Sequence, residues 1–281
     1  MKSVSDKSTE PPATTSPNDL RTLAIDIGGT GLKADVLDAT GRMVVKRLRV
    51  PTPHPCPPKV LLRALAELVA PLPSFDRISI GFPGVVRDGC VVTAPHFDTE
   101  LSRDYSLEAA VARAFGKPAR LLNDAEVQGL GIVAGRGLEV VLTLGTGVGS
   151  AVFSDGRLAP HIELAHHPIH KDKTYNDYIG NAARLAVGIK KWNGRVEKMI
   201  GIVQSLLHYD VLYLGGGNAA NITIDLTANV RIASNDAGLT GGIYLWDDEV
   251  WQAVRGSTAA VRSAAFADPR QKRALSRSDF A

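Results

Sequence analysis

The chain has 281 residues, a net charge of +3, 44% hydrophobic and 22% charged side chains, proportions that allow a sizeable core in one two-lobed enzyme or two compact domains. The small charge excess sits in the C-terminal tail, where Arg262, Arg270, Lys272, Arg273 and Arg277 outnumber Asp268 and Asp279, and the body carries no basic stripe interleaved with aromatics, which excludes nucleic acid as the main partner. Two cysteines, Cys56 and Cys90, lack CxxC neighbours and make no disulfide scaffold. There is no charged-then-apolar leader and no bilayer-length apolar run, so the expectation is a cytoplasmic enzyme without a membrane partner.

Residues 1–20 are rich in Ser, Thr, Pro, Lys and Asp and are expected to be disordered, as are residues 258–281. Between the tails the pattern predicts an antiparallel meander: a strand over Leu23–Ile27, the turn Gly28-Gly29-Thr30-Gly31, a strand over Leu32–Leu37, and a third over Met43–Val50. Pro51–Pro58 reads as a stiff loop, Lys59–Ala70 as a helix, and Arg77–Phe82 as a strand closed by Pro83-Gly84. A β-rich stretch over Val85–Val92, a helix over Leu107–Phe115 and a buried strand over Ala119–Leu122 lead to Asn123-Asp124. The second half repeats the opening, with a strand over Val140–Leu144, the turn Gly145-Thr146-Gly147-Val148-Gly149, and a returning strand over Ser150–Phe153. This duplication predicts two similar lobes facing one another across a cleft, over residues 21–123 and 124–257, with a hinge near 123–126.

A hairpin tipped with Gly-Thr-Gly exposes backbone N–H groups that can cradle phosphate oxygens, and the threonine hydroxyl adds a donor. One such tip reads equally as a tight turn; two at equivalent places in a repeat point to a phosphate chain gripped from both sides. The candidate phosphate contacts are Gly28, Gly29, Thr30, Gly31, Lys33, Gly145, Thr146 and Gly147. Strands rather than helices follow the glycines, so neither turn is a P-loop or a dinucleotide fingerprint. Asp26, at a strand end before the glycines, faces the same place and suits Mg²⁺, directly or through water, or a simple Asx turn. Asn123-Asp124 reads as a helix cap or as catalytic residues.

The motifs Asp26-Ile27-Gly28-Gly29-Thr30-Gly31-x-Lys33, Gly81-Phe82-Pro83-Gly84, Leu122-Asn123-Asp124-Ala125, Leu144-Gly145-Thr146-Gly147-Val148-Gly149, Glu163-Leu164-Ala165-His166-His167 and Leu214-Gly215-Gly216-Gly217-Asn218, in that order, resemble those of the ROK family (repressor, open reading frame, kinase). Within it, the likeness is to bacterial polyphosphate/ATP glucokinases, and it runs from about Leu20 to about Trp251. The resemblance implies an α/β fold of the actin-like, ribonuclease H-like kind, with two lobes. It also implies a homodimer that transfers a phosphoryl group from polyphosphate or ATP to a hexose, with glucose and its 6-hydroxyl as the expected acceptor. Asp124 would be the base; Asn123, Glu163 and His166 would bind the sugar; Gly215, Gly216, Gly217 and Asn218 would lie near the nucleotide or the far end of a polyphosphate. No cysteine follows Cys90, so the zinc clip of many relatives is not expected, nor is a zinc half-site at His166, His167 and His170. Ala165 replaces a usual glycine, Glu126 stands where many relatives have Asn, and the segment 221–235 is short and strand-like, which puts the adenosine pocket in question. The rival readings are a ROK repressor, which would need a helix-turn-helix before the first strand, a sugar sensor without turnover, and a kinase for mannose, fructose or an N-acetylated hexosamine.

Overall fold

A computed structural model describes residues 20–95, 97, 102–234 and 240–255. The expectations for the two tails fall outside these residues, apart from Leu20 at the edge. The first sheet opens as the predicted meander: β1 (Thr22–Ile27), β2 (Gly31–Leu37) and β3 (Leu48–Pro51) pair antiparallel. The third strand is shorter than the expected Met43–Val50. Met43, Val44 and Val45 are consecutive apolar residues that lie exposed, so no buried face draws them into the ladder, and only a bridge from Leu37 to Met43 remains. Helix α1 (Pro58–Val69) begins with proline in its first turn, where the missing N–H costs nothing, and buries Leu61, Leu65, Leu68 and Val69 at helical spacing.

Strand β4 (Arg77–Phe82) then joins β1 in parallel. The β-rich stretch that follows reduces to a ribbon of β5 (Val86–Arg87) and β6 (Cys90–Val91), and helix α2 (Leu107–Phe115) ends at Gly116 in the left-handed conformation. Strand β7 (Ala119–Asn123) completes the sheet beside β4, in the order β3-β2-β1-β4-β7. It runs without a loop into helix α3 (Asp124–Leu130).

The second sheet copies the first. Strands β8 (Leu138–Leu144), β9 (Val148–Ser154) and β10 (Arg157–Leu158) form its antiparallel part. A ribbon of β11 (Pro168–His170) and β12 (Lys173–Thr174) precedes α4 (Tyr175–Ile179), α5 (Asn181–Val187) and the 19-residue α6 (Ile189–Leu207). Parallel strands β13 (Val211–Gly215) and β14 (Val230–Ile232) give the order β10-β9-β8-β13-β14. The internal repeat in the sequence is thus a repeat of sheet topology.

Each sheet has its own apolar core, centred on Leu23, Ile25, Ile78 and Leu65 in one and on Val140, Leu142, Leu212 and Trp192 in the other. A further cluster forms where α3 lies on the second sheet, bringing Ala125, Val127 and Leu130 against Val141, Ala151 and Phe153. The segment from Thr240 to Arg255 returns to the first sheet. The 3-10 helix Gly241–Trp246 accepts a hydrogen bond at Gly242 O from Ser79 Oγ (2.6 Å), and Trp246 Nε1 donates to that same Oγ (2.9 Å). Arg120 stacks over both Trp246 (4.5 Å) and Trp251 (4.9 Å), fixing the segment by cation–π contact.

This return requires close approach at Gly241, where an added Cβ would lie 2.0 Å from the Val127 carbonyl oxygen of α3. Gly241→Ala is therefore expected to lower stability by about 1–3 kcal/mol through overpacking against backbone that cannot swing aside, read as a reduced urea midpoint with unchanged slope.

Candidate active site

The carboxyl ends of β1, β4, β7, β8 and β13 converge on one cavity of about 470 Å³, of a size that holds small molecules. It is bordered by both glycine turns, by Asp26 and Lys33, by Asn123 and Asp124, by Glu163, and by Gly216 and Gly217.

In the first turn, Gly28 N–H donates to Gly31 O (3.0 Å), while Thr52 Oγ1 donates to Gly28 O (2.6 Å) and the His54 ring bonds Gly29 O (3.0 Å). In the second, Gly145 N–H donates to Gly147 O (2.9 Å), and Asn218 Nδ2 donates to Gly145 O (3.0 Å). With their carbonyls tied back, the two tips present amides: among the described residues no acceptor is paired with the N–H groups of Gly29, Thr30, Thr146 or Gly147. Such concave sets of free N–H groups attract anions. Lys33 sits opposite Asp26 on β2 and bonds its carboxylate at 2.7 Å, so anion and cation line the wall together.

Asp124 occupies the first turn of α3, and Asn123 caps that helix. Asn123 Oδ1 accepts from the N–H groups of Ala125 (2.9 Å) and Glu126 (3.4 Å), and the Glu126 side chain returns to Asn123 N–H (3.2 Å). Asn123 Nδ2 donates to the carbonyls of Phe82 (3.4 Å) and Gly84 (3.1 Å). The amide's donors and acceptor are thereby engaged in fixing the strand–helix junction. Burial pushes the Asp124 carboxyl up to about 7; the nearby Asp26 and Glu163 carboxylates add to the rise, and the Ala125 N–H bond opposes it.

Glu163 lies in the loop after β10, with Oε1 accepting from Ala165 N–H (3.0 Å). Burial alone would raise its carboxyl, but hydrogen bonding and charge from His161 hold it below the ordinary value. Three predicted residues do not border the cavity. His166 is exposed and is not part of the lining; Gly215 ends β13 against Gln128; Asn218 donates to Gly145 O of the second turn. Gly216 has φ +81° and comes so near Leu144 backbone that a Cβ would lie 2.5 Å from its oxygen, which accounts for one glycine of the triplet by packing alone.

Other wall residues were not foreseen. Arg47 and Arg49 border the cavity beside the first turn; Arg49 lies on β3 and pairs across the ladder with Lys33, while Arg47 immediately precedes that strand. His161 also lines the wall, two residues before Glu163. Its Nδ1 lies 2.8 Å from Glu126 Oε1 and its Nε2 3.6 Å from Glu163 Oε2. Asn176 Oδ1 accepts from Val148 N–H (2.7 Å), holding α4 to the second turn. Among the described residues no group of three or more His, Cys, Asp and Glu side chains is placed to hold a metal, and no helix is long and apolar enough to cross a membrane.

This chain belongs to the ROK family, whose sequence profile matches residues 22–166. It is 29% identical over 232 residues to a polyphosphate glucokinase of Mycobacterium tuberculosis, a match that spans 77% of this chain and 84% of the relative. The crystal structure of an inorganic polyphosphate/ATP-glucomannokinase from Arthrobacter sp. strain KM superposes with a TM-score of 0.73 at 28% identity, covering 80% of this chain and 97% of that one. A ROK family glucokinase from Streptomyces griseus, solved with glucose and AMPPNP, superposes with a TM-score of 0.66 at 19% identity over 80% and 98% of the two chains, a likeness of fold. The fold is the actin-like, two-lobed one expected from the motifs.

Because both polar ends of the Asn123 amide hold this junction, Asn123→Ala is expected to cost about 1–2 kcal/mol of stability, the loss of a helix cap, measured by urea unfolding. An unchanged midpoint would remove the capping role.

Proposed function

We propose that the chain is a hexose kinase that transfers a phosphoryl group from polyphosphate or ATP to the 6-hydroxyl of glucose. The observation that carries this reading is that both glycine turns, with the amides of Gly29, Thr30, Thr146 and Gly147 unpaired among the described residues, border the same cavity as the Asp124 carboxylate. The polyphosphate glucokinase and glucomannokinase relatives support the choice of donor and acceptor.

In this reading the donor's terminal phosphates lie between the two turns, with Lys33 and the Arg47–Arg49 wall opposing their charge. The hexose sits beside Glu163, which accepts from its hydroxyls, and Asp124 takes the proton of the attacking hydroxyl. The sugar oxygen forms its bond to phosphorus as the bond to the bridging oxygen breaks, and the leaving phosphate carries away the electron pair. Asn123 contributes by aiming Asp124, whose raised pKa suits a base working near neutrality. Asp26 is a fitting ligand for magnesium, which is held by one or two carboxylates together with waters and donor phosphates, and which would neutralise charge on the transferring group. The sugar-binding role of the exposed His166 and the donor-side role of Asn218, which bonds Gly145 O of the second turn, are part of the proposal on the family resemblance. A cytoplasmic homodimer completes the proposal on the family resemblance alone.

A panel of glucose, mannose, fructose, N-acetylglucosamine and N-acetylmannosamine tested with ATP and with polyphosphate should give glucose 6-phosphate; no product from any pair would defeat the reading. Asp124→Asn is expected to lower kcat by about 100- to 10,000-fold with sugar affinity and fold retained. Since a protonated Asp124 cannot accept the hydroxyl proton, kcat/KM should fall as pH drops through about 7, and that acid limb should vanish in Asp124→Asn.

A further inference from the structure

Among the described residues His161 is the one histidine bordering the cavity, and phosphoryl transfer as set out above gives it no task. We propose that His161 is a positioning residue for sugar binding: its ring bridges Glu126, in the first turn of the base-bearing helix, to Glu163, so that the sugar-holding carboxylate and that helix are set as one unit. This rests on the kinase reading for the identity of the ligand.

The bridge is one link in a chain whose outer ends are backbone. Asn123 N–H donates to Glu126 Oε2 (3.2 Å), and Glu126 Oε1 meets His161 Nδ1 (2.8 Å). His161 Nε2 faces Glu163 Oε2 (3.6 Å), and Glu163 Oε1 accepts from Ala165 N–H (3.0 Å). Each carboxylate therefore has one oxygen on main chain and the other toward the same imidazole. The Glu126 and His161 side chains are 7% and 12% exposed, so water screens their pairing little. The loop bearing His161 and Glu163 cannot drift freely, because Ser150 Oγ of β9 donates to Ile162 O (2.5 Å) and accepts from Leu164 N–H (3.4 Å).

A neutral imidazole has one donor, whereas acceptors stand on both sides of this ring, so the arrangement calls for the doubly protonated form. Burial opposes that charge, but the Glu126 bond and the adjacent Glu163 outweigh it and hold the ring up to about 9. The charged groups around it are Glu126 from α3 and Glu163 from its own loop, with Asp124 beyond them. The cation makes Glu163 an acceptor only, the form that suits donating sugar hydroxyls. Nε2 is buried without a hydrogen-bond partner, and a modest shift of Glu163 on sugar binding would close the remaining gap.

The test is a double-mutant cycle on the full chain with His161→Gln, Glu163→Gln and their combination, reading glucose Kd by calorimetry and both KM values by assay. His161→Gln should weaken glucose binding about tenfold or more, leave the donor KM within about twofold, and add little in the Glu163→Gln background. Additive effects, or equal shifts in sugar and donor KM, would overturn the bridge. In the wild type, nitrogen NMR should find both His161 ring nitrogens protonated at pH 7 and their signals moved by glucose; a neutral ring overturns the proposal even if the Gln variant fails to fold. A wild type that binds glucose without phosphorylating it refutes the kinase reading, while the binding cycle still decides the bridge.

Discussion

The structure turns on the junction at Asn123-Asp124, where the edge strand β7 of one sheet becomes a helix packed on the other with no intervening loop. The strand side is locked by the ladder to β4 and by the Asn123 amide reaching Phe82 and Gly84. The helix side is locked by the capping box and by burial of every residue from Ala125 to Leu130. Asp124 is left between, on backbone with no freedom to turn. Glycines make room for it from both sheets: a Cβ at Gly81 would lie 3.3 Å from Asp124 Cα, and one at Gly149 would lie 3.0 Å from Ala125 Cβ. A carboxylate held this way has its direction set by the fold before any ligand arrives, the form of preorganisation that phosphoryl transfer relies on.

Around that point the charges are sorted. Amide tips with Lys33, Arg47 and Arg49 border one part of the cavity, and the carboxylates of Asp124 and Glu163 border another, with Asp26 paired to Lys33 between them. The cost of crowding Asp124, Glu126 and Glu163 is partly offset by the cation of His161, which also explains a carboxylate at position 126: it serves the helix cap with one oxygen and the imidazole with the other.

The repeat of strand, glycine turn and strand was legible because hairpins obey local rules: alternation, glycine tips and Asp-Gly turns need no knowledge of the rest of the chain. The cavity followed from it, since duplicated sheets place equivalent turns face to face. Less was legible where tertiary context decides. Met43-Val44-Val45 has strand composition yet lies in solvent, and α6, whose Trp192, Val196, Met199 and Val203 have helical spacing, had no counterpart among the expectations. For Asn123-Asp124 the cap reading is realised by Asn123 itself, while its neighbour Asp124 borders the cavity. His166 was singled out by its place in a motif, but His161, five residues earlier, is the one the loop turns inward, and no spacing rule announces that.

A crystal structure of the chain with glucose and a non-hydrolysable donor would probe the heart of this account. It should place the terminal phosphate on the amides of Gly29, Thr30, Thr146 and Gly147, with the glucose 6-hydroxyl within hydrogen-bond reach of Asp124. A donor bound away from either turn, or a sugar whose reacting hydroxyl faces some other group, would contradict it.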